Sequence, residues 1–176
     1  MPMVGSWEID SASEPEKWFG LARAYLDASI YLCEGMISET FSQTYSAGQV
    51  VLALAHHSVE LFYKGVIHNA TGQMPNSTHN LHTLEERVRQ VAPKIASAFS
   101  PIFDLKGVPA GMDATAQKKV IGRERDQRFR YHHDQDGNGW SGVQGFTAET
   151  FLTELRHCAL QYDALIPNAV NDATSS

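Results

Sequence analysis

The chain has 176 residues, of which 43% are hydrophobic and 19% are charged, and its formal net charge is −6. A chain of this size buries about 70% of the surface that its unfolded form exposes, which excludes a disordered low-complexity protein and a small disulfide-stapled scaffold. The two cysteines, Cys33 and Cys158, lie within amphipathic runs, so we expect two free thiols in the core.

The N-terminal sequence bears on the cellular compartment. Residues 1–5 have neither the basic region nor the apolar region of a signal peptide. No apolar stretch approaches the roughly 20 residues that are needed to span a bilayer. We therefore expect a soluble protein of the reducing cytoplasm, without a membrane partner.

The first half of the chain shows helical spacing of its hydrophobic residues. This spacing predicts a first helix over about 18–36 and a second over about 46–70. Thr83 and Glu86 form a capping-box pattern, which predicts the start of a third helix. Pro93 is expected to kink or end that helix.

The second half of the chain predicts two further helices. One covers about 114–131, and a strongly turn-forming run over 134–139 follows it. The other begins near Thr147, and Pro167 is expected to end it.

No stretch of useful length shows the alternating pattern of a β-strand. The fold class predicted is therefore all-α, an up-down bundle of four to five helices. We expect an N-terminal arm over 1–17, the helical bundle over 18–166 and a flexible C-terminal tail over 167–176.

The charge of the chain is unevenly distributed. Residues 118–130 hold six cations against two acids, a local balance of +4 that leaves −10 on the remaining residues. This asymmetry predicts one face for a polyanion on an otherwise acidic body, although a solvated helix face would show the same pattern. The six cations are Lys118, Lys119, Arg123, Arg125, Arg128 and Arg130.

A polar stripe runs along the second predicted helix. His56, Glu60 and Lys64 follow one another at four-residue steps, which places them on one side of the helix. The first interpretation is an ion-paired structural stripe beside the core. His79 belongs to the same polar set, and it could cap a helix together with Asn80. A bundle metal site is the second interpretation, but it needs a second Glu-x-x-His helix that this chain does not offer. We expect no metal and no other cofactor.

Four sequence pieces, taken in order, resemble the HEPN family (higher eukaryotes and prokaryotes nucleotide-binding domain). The resemblance covers about 18–166 and implies a bundle of four or five up-down helices that forms a homodimer. The pieces are Tyr25, Ala28 and Tyr31 in the first helix, then Ala55-His56-His57-Ser58-Val59-Glu60-Leu61-Phe62-Tyr63-Lys64, His79-Asn80-Leu81-x-x-Leu84 and Arg130-Tyr131-His132-His133.

The resemblance also implies an activity, because many HEPN proteins are metal-independent endoribonucleases, often toxins or defence effectors. Their motif is an arginine, a polar residue, a few further residues and then a histidine. Arg125 and His132 match it, with an acidic residue after the arginine and six intervening residues. Arg128 and His133 are separated by four residues, but a phenylalanine occupies the polar position.

The resemblance therefore assigns Arg125 and His132 as the catalytic pair, with Arg128, Arg130 and His133 as phosphate-contacting neighbours. A histidine can accept and donate a proton near neutral pH, as cleavage of RNA through its own 2′-OH requires. An arginine fork can stabilise the charge that develops on phosphorus.

A second hypothesis remains open at this point. The same bundle could serve as a non-catalytic interaction module or bind a small ligand, with a protein partner or an antitoxin. On that hypothesis the chain is not an enzyme, and the arginines and histidines of the motif have a phosphate-binding or structural role.

Overall fold

The structure is a computed structural model that describes residues 10–75, 77–102 and 147–173, with the side chains of the last helix described to residue 167. These residues form five helices and no strand, which confirms the predicted all-α bundle. The helices are α1 (Glu14–Ile37), α2 (Tyr45–Thr71), α3 (Leu81–Val91), α4 (Pro93–Ala98) and α5 (Ala148–Ala173).

Helix α1 begins earlier than the spacing of its hydrophobic residues predicts. Ser13 and Glu16 form a capping box, in which Ser13 Oγ accepts from the backbone N–H of Glu16 and Glu16 Oε2 accepts from that of Ser13. Residues 14–17, which the sequence assigns to an arm, are therefore helical. The buried face of α1 has steps of three and four residues: Phe19, Ala22, Leu26, Ser29, Cys33 and Met36.

Helix α2 is the central helix of the described bundle and matches its predicted bounds within one residue. Thr44 caps its first turn, and Gly72 ends it in the left-handed conformation, at φ 66°. Sixteen of its 27 residues are buried, more than in any other described helix.

The same helix bears on the membrane question. By length and composition α2 could cross a membrane, contrary to the expectation that no apolar stretch would approach that length. However, 78% of its apolar window is buried inside the bundle, as in the core helix of a soluble protein.

Helix α3 begins at a different cap from the predicted one. The Asn80 side chain accepts from two backbone N–H groups of the first turn, one of them that of Thr83. Thr83 and Glu86 thus lie inside α3, and the predicted capping box is wrong because a residue three positions upstream already fills the cap. Helix α3 ends at Val91 and Pro93 opens α4, so the prediction that this proline ends or kinks the third helix is confirmed.

Helix α5 begins at Ala148, close to the predicted start, but continues past Pro167 to Ala173. The predicted end at Pro167 is wrong, and residues 167–173 belong to the helix. A proline removes a single backbone N–H from the helical ladder. That loss bends or weakens a helix near its end without necessarily stopping it.

Cross-helix hydrogen bonds fix the directions of α1, α2 and α5. Ser29 Oγ donates to the backbone oxygen of Val51 at 2.9 Å and Ser58 Oγ to that of Ala22 at 2.6 Å, so α1 and α2 run antiparallel. Arg156 lies 2.7 Å from Glu34, and this ion pair runs from α5 to the C-terminal half of α1.

Aromatic rings fill the core between α2 and α5. The rings of Phe62 and Tyr162 stack at 4.5 Å, and Phe99 packs 4.6 Å from Phe62. Cys33 and Cys158 are buried free thiols, as the sequence predicts. The predicted helix over 114–131 and the turn over 134–139 lie outside the described residues.

Candidate functional site

A buried ion pair occupies the middle of α2. Lys64 Nζ lies 2.8 Å from Glu60 Oε1, one helical turn away. The Glu60 side chain is 1% exposed and that of Lys64 is 9% exposed, so both charges lie out of water. A buried charge needs such a partner, because its desolvation costs several kcal/mol, on the order of the whole stability of a small domain.

Two histidines complete the surroundings of this carboxylate. His79, in the connection between α2 and α3, places Nδ1 2.9 Å from Glu60 Oε1. His57, one turn before Glu60 on α2, places Nδ1 3.4 Å from Oε2. The His79 side chain is 48% exposed and that of His57 is 30% exposed, so the rings lie between the carboxylate and solvent.

The charge state of Glu60 follows from these contacts. Burial by itself would raise its pKa, but the hydrogen bonds from His57 and Lys64 and the positive charge of Lys64 lower the pKa to about 2. Glu60 is therefore ionised at neutral pH and acts as an acceptor for every donor around it.

Two aromatic side chains of α1 border the same site. Tyr25 meets the ring of His57 edge-on, with centroids 4.5 Å apart. The ring of Trp18 lies 5.9 Å from Lys64 Nζ, within range of a cation–π contact. These contacts link six residues into one connected cluster, which we call the Glu60 patch: Trp18, Tyr25, His57, Glu60, Lys64 and His79.

A close approach of the two long helices positions the patch. A Cβ atom added at Gly65 would lie 2.7 Å from the ring of Phe19 and 3.1 Å from Cβ of Trp18. The absence of a side chain at this position lets α1 lie against α2. Trp18 and Tyr25 thereby reach the polar residues of α2.

The structure brings Glu60, Lys64 and His79 of the predicted polar stripe into contact. His56 is buried, with 2% of its surface exposed, and its neighbour His57 contacts Glu60 as well. The predicted stripe omitted His57 because it followed four-residue steps alone. A three-residue step brings side chains together on a helix equally well and would have found it.

The patch is not arranged to coordinate a cation. Among the described residues, no group of three or more His, Cys, Asp or Glu side chains could hold a metal ion. The Glu60 oxygens accept from Lys64 and from two imidazole rings instead. The arrangement orients the rings of His57 and His79 and determines which ring nitrogen faces the carboxylate.

The predicted catalytic pair and phosphate contacts lie elsewhere in the chain. Arg125, His132, Arg128, Arg130 and His133 are all outside the described residues. Their assignment therefore depends on the sequence pattern.

Comparison with known proteins returned no relative. No protein-family model matches the chain, and no curated protein or solved structure is significantly similar to it.

Proposed function

We propose that the protein is a HEPN-like helical bundle that binds RNA or a nucleotide in the cytoplasm. In this proposal Arg125 and His132 are the catalytic pair of a metal-independent endoribonuclease, and two copies of the chain form the active homodimer. Arg128, Arg130 and His133 contact phosphate groups beside that pair.

The observation that supports this proposal is a contact between two of the sequence pieces that carry the resemblance. Glu60 Oε1 accepts from Lys64 of the Glu-Leu-x-x-Lys piece and from His79 of the His-x-Leu-x-x-Leu piece. Leu84, the last residue of the second piece, is buried in the core. The two pieces, each a weak pattern by itself, thus meet around one buried carboxylate.

The distribution of charge supports a localised polyanion site. The cations of 118–130 give that segment a balance of +4, whereas the rest of the chain carries −10. An acidic body repels nucleic acid at long range, so binding must come from a local cluster of phosphate contacts.

The chemistry assigned to the pair is transesterification within the RNA. His132 removes the proton of a 2′-OH, and the 2′-oxygen attacks the adjacent phosphorus as the bond to the 5′-oxygen breaks. The leaving 5′-oxygen takes up the proton that His132 removed, and Arg125 stabilises the negative charge on the phosphoryl oxygens. The products are a 2′,3′-cyclic phosphate and a 5′-hydroxyl end.

Salt dependence tests the binding half of the proposal. Affinity for a labelled single-stranded RNA should fall steeply with salt, and replacing Arg128 and Arg130 by alanine should reduce the logarithmic slope by roughly 1 per lost contact. Arg89→Ala, at an exposed arginine of α3, is the matched control and should leave the slope unchanged. Salt-insensitive binding, or no binding by folded protein, would reject the proposal in favour of a non-catalytic interaction module.

A further inference from the structure

The outward face of α1 lacks charge along most of its length. The helical period sets this face as an arc of about 100° opposite the buried residues of α1. Between Lys17 and Gly35, five positions fall within the arc, and all five are exposed and uncharged: Gly20, Leu21, Ala24, Ala28 and Tyr31. The outward face of a surface helix ordinarily consists of charged and polar residues, so this one is unusual.

The charged residues of α1 between Gly20 and Gly35 lie toward α5 instead. Arg23 binds both Asp27 and Asp163, and the second of these acids belongs to α5. Glu34 lies 2.7 Å from Arg156, which is also on α5. Helix α2 packs along a further side of α1. Among the described helices, none therefore covers the outward face, where Tyr31 is 75% exposed and Leu21 is 44% exposed.

We propose that a second copy of the chain covers this face, with the two α1 helices antiparallel about a two-fold axis midway between Gly20 and Tyr31. The proposed function includes a homodimer but assigns no interface to it, so this inference deepens that function. It rests on the proposed function for the pairing of two copies and on α1 for the surface.

The charge of the chain favours a second copy as the occupant. A two-fold axis sets one surface against itself, so any charge near the axis would meet its like. The chain has a net charge of −6, and two copies therefore repel each other through their acidic surfaces. The outward face of α1 carries no charge that would repel a copy or lose its hydration on contact. The same lack of charge gives a charged partner nothing to bind.

The sizes of the residues on the face suit the antiparallel arrangement. Gly20 and Tyr31 lie at equal distances from the proposed axis, so each tyrosine ring faces Gly20 of the second copy. That position is open, because no atom of the chain lies within 4 Å of a Cβ atom added there. Ala24 and Ala28 lie between the two, and their short side chains allow a close approach of the helices. A tyrosine that enters such a space is a typical anchor of an interface.

Sedimentation velocity over a range of protein concentrations tests the inference. The parent protein should dimerise, and Ala28→Glu should weaken the dimer at least about a hundredfold, because it buries an unpaired carboxylate from each copy. Leu160→Glu is the matched control, since it adds the same charge at an exposed apolar residue of α5 and should dimerise as the parent does. Both positions are exposed, so both variants should keep the helical circular dichroism of the parent.

Disulfide cross-linking tests the direction of pairing. In the antiparallel arrangement the two copies of Ala24 lie about 5 Å apart along the helix axis, whereas the two copies of Gly20 lie about 16 Å apart. Ala24→Cys should therefore form a disulfide-linked dimer under mild oxidation and Gly20→Cys should not. The natural thiols, Cys33 and Cys158, are buried and should not react. Equal cross-linking of the two variants would overturn the antiparallel arrangement.

The outcomes separate this inference from the proposed function. If the parent dimerises and Ala28→Glu dimerises equally well, the inference is wrong while the proposed homodimer stands. If Ala28→Glu is monomeric but cleaves RNA as the parent does, the interface is supported and the proposed requirement of two copies for activity is wrong. A folded parent protein that stays monomeric at every concentration would overturn the inference, and its salt-dependent binding of RNA would still support the binding half of the proposed function.

Discussion

His79 Nδ1 lies 2.9 Å from Glu60 Oε1, a contact that connects two residues 19 positions apart. It fastens the connection between α2 and α3 to the buried middle of α2. Because Lys64 contacts the same oxygen, this carboxylate joins two elements of the bundle and neutralises a buried cation. Removing the Glu60 carboxylate should therefore have large and specific consequences.

Glu60→Gln should destabilise the protein strongly. The substitution keeps the size of the side chain but leaves the buried ammonium of Lys64 without a counter-charge, which costs roughly 3 kcal/mol or more. Urea unfolding at neutral pH measures this loss in the free energy of unfolding.

Glu34→Gln is the matched control for that substitution. It breaks the exposed pair between Glu34 and Arg156, which contributes about 1 kcal/mol or less. Equal losses in Glu60→Gln and Glu34→Gln would contradict the buried, hydrogen-bonded position of Glu60.

The lowered pKa of Glu60 predicts a particular acid response. Because its pKa is about 2 in the folded chain, against an ordinary value of 4.5, its contribution is complete above about pH 4.5. That contribution is lost as the pH falls from about 4.5 toward 2, since the unfolded chain then binds the proton more readily. Free energies of unfolding measured across this range should decline more steeply in the parent than in Glu60→Gln. Parallel curves would show that Glu60 titrates alike in both states.

The close contact between α1 and α2 predicts opposite effects at two glycines. Gly65→Ala places a methyl group 2.7 Å from the ring of Phe19 and should cost about 1–3 kcal/mol through forced repacking. Gly20→Ala, on α1, meets nothing within 4 Å and should stabilise the helix by up to about 1 kcal/mol. Thermal unfolding of the two variants compares them, and a stabilised Gly65→Ala would show that the helices can separate without cost.

The observed cap of α3 can be distinguished from the predicted one. Asn80→Ala removes the acceptor of two backbone N–H groups and should lower the free energy of unfolding by about 1 kcal/mol. Thr83→Ala alters a position inside the helix and should cost less. Denaturant unfolding measures both losses. A larger loss in the free energy of unfolding for Thr83→Ala than for Asn80→Ala would support the capping box predicted from the sequence.

Most of the predictions about the fold came from local residue patterns in the sequence. In α1 and α2 the hydrophobic residues recur at steps of three and four because one side of each helix is buried. That spacing can be recognised from the sequence alone. Helix ends were harder to predict. Asn80 and Thr83 are both good N-cap residues by type, and only the path of the backbone determines which of them caps α3. The end of α5 was equally hard to predict, since the effect of Pro167 depends on where it lies within the helix.

The candidate site was predictable only in part, for a related reason. The contact of Lys64 with Glu60 follows from helical spacing, so the sequence could place it. The contact of His79 depends on how the connection after α2 turns back, and no spacing rule supplies that turn. The edge-on contact of Tyr25 with His57 requires the packing of two helices, which only the folded chain provides.

The most direct test of the proposed function is cleavage of a labelled mixed-sequence RNA in excess EDTA. The parent protein should cleave it and leave 2′,3′-cyclic phosphate ends, whereas Arg125→Ala and His132→Ala should not. Arg156→Ala and His157→Ala, both at exposed positions on α5, are matched controls and should cleave as the parent does. Absence of cleavage by folded parent protein, or equal cleavage by all four variants, would contradict the assignment of Arg125 and His132 as a catalytic pair.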